Sequence, residues 1–179
     1  MTTENNQTIR ATAPSEFEFV INRVLDAPRE LVWQAWTKPE ALAKWWGPAD
    51  FDNEVVKLDL RVGGIFHYRM NLPDGGVMWG KFVYREIVAP ERLVHVDSFC
   101  DENEGITRAP FSENFPLEIL NTLTLTEENG KTRLTLRGVP INATPEEQEF
   151  FASMHDSMQQ GFGGTFDQLV TYLAQAVKG

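Results

Sequence analysis

Thr144-Pro145-Glu146-Glu147 opens a C-terminal segment with an unbroken helical apolar period. Thr144 can cap, Pro145 suits the first turn, and Glu147 stands where a capping box needs it. Phe151, His155, Met158, Phe162, Phe166, Leu169 and Leu173 then recur at steps of three and four. This spacing predicts one helix running toward Val177 with a single apolar face. A helix that long must lay its face on something. The segment before it is rich in strand patterns, so the partner is a sheet.

Turn signals cut that segment at Gly63-Gly64, Pro73-Asp74-Gly75-Gly76, Ala89-Pro90-Glu91 and Glu128-Asn129-Gly130. They leave strands at 52–60, 65–72, 77–88, 93–100, 117–126 and 132–139. An earlier strand is predicted at 17–25, where Phe17, Phe19 and Ile21 alternate with polar residues. Two short helices follow, one opening at Pro28 and one at Pro39, the second with Thr37 and Glu40 spaced as a capping box. Residues 101–116 have no strand period and read as a long loop of the kind that often forms a lid. The order is α+β: strand, two helices, six antiparallel strands, one long helix. Residues 1–15 read as a disordered N-terminal tail, and 16–179 as one domain.

The chain has 179 residues, 42% hydrophobic, with 12 Phe and 5 Trp, enough for a large apolar interior or an aromatic-lined cavity. Its net charge of −10 disfavours nucleic acid and anionic lipid as partners. No apolar run is long enough to insert in a membrane, and no apolar leader core is present, so a cytoplasmic location is expected. Cys100 is the single cysteine, and His67, His95 and His155 are far apart in sequence. Zinc sites usually pair close ligands, so neither a metal nor another cofactor is expected.

Alternation places Phe66, Tyr68 and Met70 on one strand face, with His67 and Arg69 on the other. Ile119, Asn121, Leu123 and Leu125 share a face of a later strand. With Met154, His155, Met158 and Phe162 of the helix, these residues either fill a solid core or line a cavity. Asn121 and His155 are the informative polar members, since a buried polar group without a partner costs about 1–3 kcal/mol. His155 is expected to face the cavity and to hydrogen-bond rather than act as a base. Asp156 points about 100° away on a regular helix, so only a distant carboxylate such as Asp97 or Glu118 could orient the ring. His95, Asp97 and Ser98 hold triad residue types, but Ser98 takes the opposite strand face. Gly161-Phe162-Gly163-Gly164 lacks the strand and lysine of a phosphate loop and suggests a bend at the cavity. Trp33, Trp36, Trp45 and Trp46 read as packing at the open end of the sheet, with an exposed partner-binding patch as the alternative.

The stretch Ala27–Thr37 resembles the opening helix of the START-like, or SRPBCC, superfamily. Trp45-Trp46-Gly47-Pro48, Asp59–Gly64 with Phe66, Pro90-Glu91-Arg92-Leu93, Lys131–Leu136 and the Gly161–Leu173 tail extend the likeness. Together they resemble the group related to the C-terminal domain of the heat-shock-protein-90 ATPase activator. Phe162 departs from the tryptophan common there, and the 101–116 loop is longer than usual. The resemblance implies a helix-grip fold with a cavity between sheet and long helix. It implies binding of a small hydrophobic or amphipathic molecule, lipids included, by a carrier or sequestering protein. The expected site is Phe66, Tyr68, Met70, Asn121, Met154, His155, Met158 and Phe162. A cyclase- or hydrolase-type enzyme acting on an aromatic compound and a chaperone ATPase co-factor stay open as alternatives. So does a homodimer. No catalytic set is evident.

Overall fold

The computed structural model describes residues 16–178, so the expected tail at 1–15 lies outside the described residues. β1 (Phe19–Leu25) is followed by α1 (Arg29–Thr37) and α2 (Pro39–Trp45). Six strands come next: β2 (Asp52–Leu58), β3 (Ile65–Asn71), β4 (Val77–Val88), β5 (Arg92–Cys100), β6 (Glu118–Glu128) and β7 (Lys131–Ile141). The chain closes with α3 (Pro145–Ser153) and α4 (His155–Lys178). The strands form one antiparallel sheet in the order β1-β7-β6-β5-β4-β3-β2. β1 and β2 hold opposite edges, and the α1–α2 pair carries the chain between them. This is a helix-grip fold.

Cross-strand partners lie on the same face of a sheet. The register Phe66↔Phe82, Phe82↔Asp97 and Asp97↔Ile119 therefore traces one row across the inner face, and Tyr84↔His95, His95↔Asn121 and Asn121↔Gly138 trace the next. The helices cover that face. Phe66, Leu123, Phe166 and Leu169 are fully buried between the layers. Burial of such side chains is worth about 1.5–3 kcal/mol each.

Local signals explain the helix boundaries. The capping box at Thr144 forms: Thr144 Oγ1 accepts from Glu147 N at 3.2 Å, and Thr144 N donates to Glu147 Oε1 at 3.0 Å. The box expected at Thr37 and Glu40 does not. Thr37 ends α1, and its hydroxyl donates to Trp33 O at 2.7 Å, leaving Lys38 as an extended joint between two helices. Gly47, with φ +96°, turns the chain after α2 in a conformation that disfavours any side chain. Its carbonyl accepts from Thr165 Oγ1 at 3.1 Å and Gln168 Nε2 at 2.7 Å, which pins α4 to this turn.

The C-terminal segment is two helices rather than one. The break is at Met154, and the helix runs unbroken through Gly161, Gly163 and Gly164, where a bend was expected. Along α4 the residues four apart from His155 turn to the β1 edge. His155 Nε2 contacts Phe17 O at 3.3 Å and Gln159 Nε2 donates to Val20 O at 2.8 Å. Arg23 reaches Gly163 O at 3.2 Å and Asp167 Oδ1 at 2.9 Å. The neighbouring row, Met158 and Phe162, faces the sheet interior.

Candidate functional site

The inner face is not filled throughout. A chamber of about 240 Å³ lies between β5, β6 and the start of α4, and a second of about 220 Å³ adjoins it toward the α2–β2 turn. Trp46, Tyr68, Met158 and Phe162 line both and form the partition. Phe111 and Phe115 of the 101–116 loop, with Phe151 and Met154, complete the apolar wall of the first chamber.

Two glycines make room for the wall. At Gly80 a Cβ would lie 2.4 Å from Tyr68 Cζ and 2.4 Å from its hydroxyl oxygen, so the Tyr68 ring occupies the space a side chain would need. At Gly138 a Cβ would lie 2.7 Å from Asn121 Oδ1. Tyr68 packs against Phe66 at 4.9 Å and Trp46 at 5.9 Å between ring centres.

The loop is held at its start and near its middle. The Asp101 carboxylate accepts from the N–H groups of Asn103 at 2.8 Å and Gly105 at 2.9 Å, which keep its pKa below the ordinary carboxylate value. Arg108 donates to Glu147 Oε2 at 2.6 Å, tying the loop to the first turn of α3. Beyond the second anchor Phe111 and Phe115 stack edge-on at 5.3 Å, and Phe115 meets Phe151 at 6.2 Å.

A polar group stands in this apolar wall. Asp97, from β5, lines the first chamber. Its Oδ2 accepts from Asn121 Nδ2 at 2.7 Å, and its Oδ1 is hydrogen-bonded to His95 Nδ1. His95 is 1% exposed, and its ring lies parallel to Phe82 at 4.0 Å. With the proton on Nδ1, His95 donates to the carboxylate, and its buried Nε2 has no partner among the described residues. Burial pushes the Asp97 pKa above the ordinary value, against the opposing pull of His95 and Asn121. The same arrangement raises Tyr68 and Tyr84, first through burial and then through the nearby Asp97 charge.

Of the residues expected at the site, Tyr68, Asn121, Met154, Met158 and Phe162 line the first chamber, and Tyr68, Met70, Met158 and Phe162 the second. Two do not. Phe66 is fully buried beneath Tyr68 and Phe82, one step deeper along β3. His155 stands between Phe19 at 5.6 Å and Phe151 at 5.3 Å, on the α4 row that follows the β1 edge. The histidine with a carboxylate partner is His95, not His155. Asp97, Trp46 and the loop phenylalanines were not among the expected residues. Strand parity in 93–100 leaves the face of Asp97 open, and its register with Phe82, an inner-face residue, places it inward.

Among the described residues, no group of three or more His, Cys, Asp or Glu side chains is placed to hold a metal ion. No helix among them is long and apolar enough to cross a membrane.

The family model described as Activator of Hsp90 ATPase homolog 1-like protein matches residues 26–174. The chain belongs to this family. No curated protein matches it. Among solved structures, it is similar to a protein from Mycobacterium smegmatis, with 28% identity, TM-score 0.73, and coverage of 88% of this chain and 91% of that one. It is similar to a protein from Arthrobacter aurescens, with 25% identity, TM-score 0.76, and coverage of 91% and 90%. A protein from Nitrosomonas europaea gives 26% identity and TM-score 0.72 over 93% of this chain and all 100% of the other. Family and fold together support a domain of ligand-binding or co-chaperone type.

Proposed function

We propose that this member of the Hsp90-ATPase-activator-like family binds a small hydrophobic or amphipathic molecule between its sheet and α4, as a carrier or sequestering protein. The observation that carries this is the aromatic-walled chamber with a few placed polar groups, the usual makeup of a small-molecule site. The chamber of about 240 Å³ and its neighbour of about 220 Å³ meet at Met158, an unbranched side chain able to re-pack and join them. Native mass spectrometry of freshly purified protein tests the proposal, alongside titration with the apolar dye Nile red. The expected result is either an adduct lost on denaturation or saturable uptake of one dye per chain. Protein that shows neither refutes it.

A second reading, general-base catalysis, is favoured by the Asp97–His95 pair. A carboxylate raised by burial and oriented by a histidine is suited to proton abstraction. In that case Asp97→Asn would keep ligand affinity and abolish turnover of the bound compound. The co-chaperone role suggested by the family description is tested by adding the protein to an Hsp90 ATPase assay, where stimulation would support it.

A further inference from the structure

From the chamber's charge pattern we infer that its ligand is an organic amine, its ammonium group seated on Asp97 and its apolar body between the aromatic walls. The inference rests on the binding function proposed above and names its ligand class.

Among the described residues lining the first chamber, Asp97 carries the sole charge, and no Lys or Arg is present. The nearest arginine along the loop, Arg108, is committed to Glu147 at 2.6 Å. A carboxylate or phosphate ligand would thus meet a like charge with no counter-ion. A neutral apolar ligand would leave that charge buried against hydrocarbon, which is costly.

Asp97 is prepared to accept more. A carboxylate offers about four lone-pair positions, and His95 and Asn121 each take one. Those two bonds fix the group from the sheet side, leaving the chamber side for a donor. The Asp97 side chain retains 23% exposure, so its unused positions are reachable. His95 acts here as a positioning residue. It is 1% exposed beneath Phe82 and holds the carboxylate without touching the ligand. Trp46, Tyr68 and Phe115 also line the chamber, and aromatic rings attract a cation over their faces. The net charge of −10 raises the local concentration of cations around the whole protein.

The test uses three probes with one body: 4-phenylbutylamine, 4-phenylbutan-1-ol and 4-phenylbutanoate. Each is titrated against the full-length protein loaded with Nile red. The expected order is amine, alcohol, carboxylate, with the amine displacing dye at roughly tenfold lower concentration than the alcohol. In Asp97→Asn the amine loses its advantage, the ratio of alcohol to amine concentration needed for displacement falling from roughly tenfold toward one. In the wild-type protein, NMR should show contacts between the methylene beside the amine and the Asn121 side-chain amide. This reading stands even if the variant folds poorly. Equal affinities, or tighter binding of the carboxylate, overturn the amine assignment while leaving the binding function intact. So do NMR contacts that place the phenyl end at Asn121. Failure of the wild-type protein to take up dye or any probe, together with no adduct in native mass spectrometry, refutes the binding function itself.

Discussion

Replacing Gly80 with Ala tests how the chamber wall is built. The new Cβ would sit 2.4 Å from both Tyr68 Cζ and its hydroxyl oxygen and 2.7 Å from Cε2, all far inside contact distance. The β4 backbone at Gly80 is paired with both β3 and β5, so the ring must yield instead. Phe66 at 4.9 Å and Trp46 at 5.9 Å block two directions, and the chamber is the open one. Overpacking a core costs about 1–3 kcal/mol. A ring that can swing into empty space should pay the lower part, about 1–2 kcal/mol by the same scale. At about 2–4 °C per kcal/mol for a chain of this size, the melting point should fall by roughly 2–8 °C. Dye uptake should fall more sharply, because the displaced ring occupies the site. Thermal unfolding by circular dichroism and Nile red titration measure both. In a Tyr68→Leu background the Gly80→Ala penalty should vanish, whereas Tyr68→Phe should keep most of it, since Cζ and Cε2 remain. An unchanged melting point together with unchanged dye affinity would refute this account of the wall.

Three further outcomes are expected. Burial raises the Asp97 pKa, so the folded state binds this proton more readily than the unfolded one. The contribution of Asp97 to stability should therefore decline as pH rises from its unfolded to its folded pKa; urea unfolding of wild type minus Asp97→Asn over a pH series isolates that slope, and a rising difference would contradict it. Thr144→Ala removes the acceptor for Glu147 N and should cost about 1 kcal/mol in urea unfolding. Burial pushes the Cys100 thiol up to about 11, so 5,5′-dithiobis(2-nitrobenzoate) should react slowly at pH 7.5 and at full speed once the chain is denatured.

The fold was legible because its strongest signals are local. Thr144-Pro145-Glu146-Glu147 starts a helix by satisfying its own first-turn donors, and each hairpin is marked by Gly, Pro or Asn. The break at Met154 carries no such marker, so α3 and α4 read as one helix. That misreading had a consequence for the site. The stripe from Phe151 through His155 to Met158 assumes a constant phase, but α4 restarts at His155. His155 then falls with Gln159 and Gly163 on the row facing β1. Phe66 and Tyr68 share a face, as alternation requires, but alternation cannot say which of the two is covered. The Asp97 network depends on residues brought together only by register across β4, β5 and β6, and Leu93 and Phe99 compete with Val94 and Val96 for the inner face. Gly80 and Gly138 gave no sequence signal, because their role is to vacate space for side chains on the adjacent strands.

The central claim, that the space under α4 is a binding site, is tested most directly by filling it. Met158 lines both chambers from the helix and is half-buried. Met158→Trp should plug the junction with little loss of stability, because the added volume enters existing space. Equilibrium titration with Nile red should give one saturable site in the wild-type protein and none in Met158→Trp of comparable melting point. Equal dye affinity in the two proteins would contradict the account.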